Sequence, residues 1–163
     1  AIGLVGSEMC IRDSSRTWGP PFQKGFDGAE VASYFLSCNR GKKIVFANLK
    51  NERERVRSLM DTVDVVIENF KPGAFDRLLG PVNADLIVCS ISGYGQEGPR
   101  RDEPAFDLTM QARSGIMSVT GEEGGPPAKV GVAWIDVMTG MNAVSSILAC
   151  LLRRDRGGGG ARS

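Results

Sequence analysis

Ile44-Val45-Phe46-Ala47-Asn48-Leu49 is a short apolar run rich in β-branched and aromatic residues, and behind it Val56, Leu59, Met60 and Val63 recur every three or four positions. The first pattern predicts a strand and the second an amphipathic helix. Asn51 with Glu54 three residues later has the spacing of a capping box at the start of that helix. The same alternation then repeats. Asp64-Val65-Val66-Ile67 reads as a second strand, Lys71-Pro72-Gly73 breaks the chain, and 74–79 reads as a helical turn. Residues 85–90 are nearly all apolar, as expected of a parallel strand covered on both faces. Beyond them lie a helical pattern at 107–117, a glycine- and proline-rich loop at 121–127, an extended segment at 129–135 and a long helix over 137–153, ended by the glycines at 157–160. Upstream, 18–28 reads as a surface loop and 29–37 as a short helix or irregular segment, before the basic turn Asn39-Arg40-Gly41-Lys42-Lys43. Strands alternating with helices predict an α/β fold: an open parallel sheet with right-handed crossovers and flanking helices.

Composition narrows the function. With 163 residues, 42% apolar and 24% charged, the chain suffices for one globular core, or for a piece of a larger one. Its 20 basic and 19 acidic side chains nearly cancel, so no global field draws in nucleic acid or an anionic membrane. An anionic ligand must be caught locally. Cys10, Cys38, Cys89 and Cys150 are scattered without a C-x-x-C pair and the chain has no histidine, which argues for reduced, mostly buried thiols rather than a zinc site or a Cys/His nucleophile. No apolar stretch reads as membrane-spanning and no secretory signal is evident, so a cytoplasmic protein is expected, with an organellar address conceivable outside this chain. Residues 1–14 have no periodicity that joins them to the rest of the chain and look like translated adapter sequence, so they are expected to be a non-native leader, with 161–163 a cut end.

Asp136 stands where an extended run gives way to the long helix, in Gly131-Val132-Ala133-Trp134-Ile135-Asp136-Val137-Met138-Thr139-Gly140-Met141. An aspartate in that place is ordinarily an N-cap. The amides and dipole of the first turn are also expected to hold it ionised, as a carboxylate nucleophile requires. Gly140, Ala143 and Ala149 leave room for another backbone or a ligand to approach, while Met138, Met141, Val144, Ile147, Leu148 and Leu151 are expected to supply burial. Gly93-Tyr94-Gly95-Gln96-Glu97-Gly98 has the literal spacing of a dinucleotide loop, but Pro99 and charged residues follow where that fingerprint needs a helix.

Three strings in this order, Val66-Ile67-Glu68-Asn69-Phe70-Lys71-Pro72-Gly73, Cys89-Ser90-Ile91-Ser92-Gly93-Tyr94-Gly95-Gln96-Glu97-Gly98-Pro99 and the segment around Asp136, resemble the class III CoA-transferases, also called the CaiB/BaiF family. The resemblance runs from about residue 15 to 160, and Arg16-Thr17-Trp18-Gly19-Pro20-Pro21-Phe22 is most similar to succinate-hydroxymethylglutarate-type members. It implies that 15–160 is part of a Rossmann-like large domain, in a longer subunit that forms an interlaced homodimer. A fragment of such a subunit is expected to be inactive alone.

The resemblance also implies a chemistry. CoA passes from an acyl-CoA to a small carboxylic acid, with Asp136 as the nucleophile that carries CoA as a thioester. Acyl-CoA is then substrate, with no permanently bound cofactor, no metal, and neither nucleic acid nor membrane as partner. The CoA-contacting positions it implies are Ala47, Asn48, Leu49 and Lys50; Asn69, Phe70, Lys71 and Arg77; and Pro104, Ala105, Phe106 and Asp107. Phe70 offers a flat face for adenine, and Asn69, Lys71 and Arg77 offer donors to ribose or phosphate. Asp107 by itself reads as the cap of its own helix. The related α-methylacyl-CoA racemases carry a histidine where this chain has Phe106, so the acid/base pair for moving an α-proton is missing and transfer is favoured. A non-catalytic acyl-CoA-binding fragment is the rival from outside enzymology.

Overall fold

The β-branched runs become short strands and the three-to-four-residue patterns become helices, in a computed structural model that describes residues 3–6, 14–25, 28–49 and 51–158. The chain divides into two units, 1–63 and 64–163. In the first, β1 (Gly3–Gly6) pairs in parallel with β4 (Lys43–Phe46), so part of the leading stretch that showed no periodicity forms a strand. Between them, β2 (Phe22–Lys24), where the sequence suggested a loop, pairs antiparallel with β3 (Glu30–Ala32), at the start of the stretch read as a short helix or irregular segment, and α1 (Ser33–Asn39) follows. Its core holds Ala32, Phe35 and Ala47, with Val56 and Met60 from α2 (Arg53–Met60). The Arg16 guanidinium lies 4.0 Å over the Phe35 ring, and Trp18 meets Tyr34 with ring centres 5.7 Å apart.

The capping box at α2 does not form. Glu52 is the N-cap residue, and its carboxylate turns back to accept the Asn48 amide at 2.7 Å and the Arg55 guanidinium at 2.7 Å. The Asn48 amide first, and Arg55 second, hold Glu52 below the usual carboxylate range. A thiol expectation also changes, because Cys38 is exposed while Cys89 is buried.

The second unit is built on β5 (Val65–Glu68) and β6 (Ile87–Ser90), paired in parallel from Val65 opposite Ile87 to Glu68 opposite Ser90. Between them α3 (Ala74–Leu79) begins after Gly73, whose φ of 73° is a left-handed turn suited to glycine. Leu86, Ile87, Val88 and Cys89 are buried with Phe75 and Leu79. The α/β class with parallel pairing therefore holds, but the described strands make separate two-stranded ribbons rather than one open sheet. The connection from α3 to β6 is closed by Asn83, whose side chain accepts the Asp85 amide at 3.0 Å.

Two more helices complete this unit: α4 (Asp107–Ser114), shorter than the 107–117 pattern because Gly115 takes a left-handed φ of 83°, and α5 (Trp134–Arg153). The segment before α5 is irregular rather than a strand. At the far end of α5, Arg154 donates to the Asp85 carbonyl at 3.2 Å and to the Asp64 carboxylate at 2.7 Å, and so grips the starts of both strands. With α5 packed on β6 and its C-terminus at the strands' beginnings, its N-terminus and Asp136 stand toward their carboxyl ends. Open α/β sheets bind ligands at that edge.

No residue of α5 is fully buried, which departs from the burial expected of Met141, Val144 and Leu148. Ile135, Met138, Ala143, Ile147 and Leu151 are half-buried along one face, whereas Trp134, Val137, Met141, Val144, Leu148 and Leu152 form a second apolar stripe with 38% to 61% of their surface exposed. By length and a mean hydropathy of 1.6 the helix would suffice to cross a membrane, contrary to the sequence expectation. A helix apolar on both sides belongs in a bilayer or inside a larger protein. Among the described elements α5 packs on α4 and β6 and is tied at both ends.

Ile87, with none of its surface exposed, anchors the second unit. In the full-length protein Ile87→Val is expected to cost about 0.5–1.5 kcal/mol and Ile87→Ala about 2–5 kcal/mol, read as successive falls in the urea midpoint of far-ultraviolet circular dichroism.

Candidate active site

The first turn of any helix leaves backbone amides without partners, and α5 begins at Ala133, which has no side-chain oxygen to offer them. The partner comes from another helix. Asp107, the first residue of α4, accepts the Ile135 amide at 2.7 Å and the Asp136 amide at 3.2 Å through one carboxylate oxygen. Its other oxygen accepts the Gln111 carboxamide at 2.5 Å. Asp107 therefore does not cap its own helix, whose N-cap is Phe106, but α5. A cap of this kind contributes about 0.5–2 kcal/mol.

Gln111 is 1% exposed and is the residue the sequence reading missed. It also donates to the Val132 carbonyl at 3.2 Å and accepts the Val130 amide at 2.8 Å. The available signal was its position four residues after Asp107, which puts both side chains on one face of α4.

Because Asp107 serves as the cap, Asp136 is released from that duty. Among the described residues its carboxylate accepts no hydrogen bond, and the residue is exposed in the first turn of α5. Packing around the carboxyl nevertheless removes enough water to raise its pKa above the ordinary aspartate value, and the negative charge of Asp107 adds to the rise. The expectation that first-turn amides hold Asp136 low is thus reversed, since Asp107 occupies them. The folded protein binds this proton more tightly than the unfolded chain does. Its contribution to stability is complete below the ordinary aspartate pKa and is lost as pH rises through the raised one.

Gly93 links the loop after β6 to this arrangement. A β-carbon on it would collide with the Ala105 side chain, so glycine is what lets the 91–98 loop pack on the 104–107 segment that carries Asp107. Gly95 and Gly98 have φ of 81° and 94°, and no helix begins between this loop and Asp107, so it lacks the helix a dinucleotide fingerprint requires. The Arg113 guanidinium lies 5.6 Å from the Tyr94 ring centre, and the buried Tyr94 and Ser90 hydroxyls have no hydrogen-bond partner among the described residues. Pro104 and Phe106 are exposed, Phe106 by 74%.

At the carboxyl end of β5 the turn is shaped by Glu68 rather than by a capping asparagine: the buried Glu68 carboxylate accepts the Phe70 amide at 2.7 Å. Asn69 and Lys71 point outward and Phe70 is half-buried. The exposed Arg77 folds back over Gly73, its guanidinium 3.6 Å from where a β-carbon would be. No hydrogen bond among the described residues joins Asn69, Lys71 or Arg77 to Asp136. In the first unit Ala47 is 3% exposed, so only its backbone can meet a ligand, while Asn48 and Leu49 are half-buried. Lys50 lies outside the described residues. A surface hollow of about 380 Å³ is lined by Ala149, Leu152, Arg153, Arg156, Gly157 and Gly158. At 1.5 Å per helical residue it begins about 20 Å from Asp136 and belongs to no part of this site.

Isotope-edited infrared titration of the Asp136 carboxyl in the full-length protein is expected to show a midpoint above the ordinary aspartate value, moved down by Asp107→Asn. A midpoint unaffected by that substitution would show that the two carboxyls are uncoupled.

The profile of CoA-transferase family III matches residues 8–162. The succinate-glutarate CoA-transferase of Agrobacterium fabrum is 44% identical over 157 residues, which are 91% of this chain and 39% of that protein. The succinyl-CoA:glutarate CoA-transferase of Mus musculus is 41% identical over 98% of this chain and 38% of its own length. Among solved structures, a CaiB/BaiF family protein from Brucella suis superposes with a TM-score of 0.87 at 42% identity, covering 97% of this chain and 44% of that one. The chain thus spans about two fifths of the length of these relatives. Asp136, its cap on α4 and the turn after β5 all fall inside the matched stretch, and on that match the chain belongs to CoA-transferase family III.

Proposed function

We propose that the full-length protein transfers CoA from an acyl-CoA to a free carboxylic acid by way of an aspartyl-CoA thioester on Asp136. The observation that carries this reading is the capping of α5 by Asp107, which leaves the Asp136 carboxylate exposed and free of any structural hydrogen bond. Attack of that carboxylate on the thioester carbonyl expels CoA thiolate and forms a mixed anhydride. The thiolate then attacks the aspartyl carbonyl, releasing the acyl group as a free acid and leaving the thioester on Asp136. The acceptor acid takes CoA by the same steps in reverse. Each bond is exchanged for one of similar energy, so the thioester's free energy is kept as long as water stays out. CoA itself is the substrate and no further cofactor takes part.

CoA contacts are assigned within each unit: Asn69, Phe70, Lys71 and Arg77 at the end of β5 with Pro104, Ala105 and Phe106 before α4, and Ala47, Asn48, Leu49 and Lys50 after β4. Two exposed cations, Lys71 and Arg77, suit phosphate, and the half-buried Phe70 suits adenine. The names of the Agrobacterium and mouse relatives support short dicarboxylates as the acids exchanged, so succinyl-CoA with glutarate is the first pair to assay. The chain, residues 15–160 in particular, is assigned to a Rossmann-like large domain, the protein to an interlaced homodimer, and its place to the cytoplasm.

Hydroxylamine added during turnover of the full-length protein is expected to leave a hydroxamate on Asp136, seen as a mass change on the peptide that contains it, and Asp136→Ala is expected to abolish transfer. Full activity in Asp136→Ala would overturn the assignment, as would α-proton exchange without CoA exchange.

A further inference from the structure

We propose that Gln111 is the positioning residue of the nucleophilic turn: from α4 it locks Asp107 and the 130–132 segment into one hydrogen-bonded unit and so sets where the Asp136 carboxylate stands. This rests on the reading of Asp136 as nucleophile.

Every hydrogen bond of the Gln111 carboxamide ends on that machinery. Its nitrogen donates to Asp107 and to the Val132 carbonyl, and its oxygen accepts the Val130 amide. Val130 and Val132 lie on the irregular segment leading into Asp136, which has no strand pairing to hold it. Asp107 in turn receives the Ile135 and Asp136 amides. With 1% exposure the carboxamide has no water to fall back on, so leaving any of these groups without a partner is costly. A glutamine serving the core alone would be tied to strand or helix backbone at large; this one joins only the two ends of the nucleophile's support. Its fixed amide also determines which Asp107 oxygen is left for α5. The turn is thereby oriented before substrate arrives, which is where placement to within an ångström changes the rate.

The test uses full-length protein, single-turnover loading of CoA onto Asp136 measured by mass spectrometry, and steady-state kinetics with succinyl-CoA and glutarate. Gln111→Met keeps the shape and removes the hydrogen bonds. It is expected to slow loading about 10²-fold while KM for succinyl-CoA stays within about twofold, the split that distinguishes positioning from binding. Should that variant not fold, a swap of polarity serves instead. Asp107→Asn sets an amide donor against the Gln111 amide, and adding Gln111→Glu restores that pair and keeps an acceptor for the Val130 amide while giving up the bond to the Val132 carbonyl, so the double variant is expected to load about tenfold faster than Asp107→Asn alone. Wild-type loading rates in folded Gln111→Met, or a double variant no faster than the single, overturn the positioning role. If the wild-type protein itself carries no adduct on Asp136, the nucleophile reading fails first; an adduct there with a fully active Gln111→Met overturns only this inference.

Discussion

The carboxylate of Asp107 closes the head of α5, and the geometry of the site depends on it. A helix start without a partner for its amides frays, and Ala133 provides none. By reaching across from α4, Asp107 ties two helices together and fixes the turn that carries Asp136. The dependence continues outward. Asp107 is held by Gln111, and the segment bearing it packs against Gly93 in the loop after β6. Loop, α4 and the turn bearing Asp136 are joined through this one carboxylate.

That division of labour has a chemical consequence. A carboxylate that caps a helix is stabilised by amide donors and becomes a weaker nucleophile. With Asp107 taking those donors, Asp136 faces a partly desolvated setting beside a like charge, and its pKa rises. A more basic carboxylate attacks a thioester more readily. The remaining charge is local as well: Lys71 and Arg77 near the end of β5 are two exposed cations in an almost neutral chain.

The apolar character of α5 fits the same scheme. One face rests on α4 and β6, and the other carries Trp134, Val137, Met141, Val144, Leu148 and Leu152 at the surface of this chain. The relatives are more than twice as long, and an exposed apolar stripe of that size is characteristic of an interaction surface.

Much of this was legible in the residue order. The strands at 65–68 and 87–90, the helix at 74–79, the break at Gly73 and the helix that ends in glycines follow from β-branched runs, helical spacing and glycine's freedom at positive φ, all of them local effects. The motifs around Asp136, Asn69 and Gly93 pointed to the family before any coordinates. Other features were not legible, because they depend on which distant groups meet. Asn51 and Glu54 have capping-box spacing, yet Glu52 bonds back to Asn48 instead. The β2–β3 hairpin lies in a stretch whose glycines and prolines read as loop. Asp107 looked like the cap of its own helix, and Gln111 carried no motif at all. Sequence by itself determined most of the elements of the second unit and the identity of the nucleophile candidate, since both reside in neighbouring residues. Tertiary structure alone decided which aspartate caps α5 and which is left free to react, because that choice lies in hydrogen bonds spanning 28 and 29 residues.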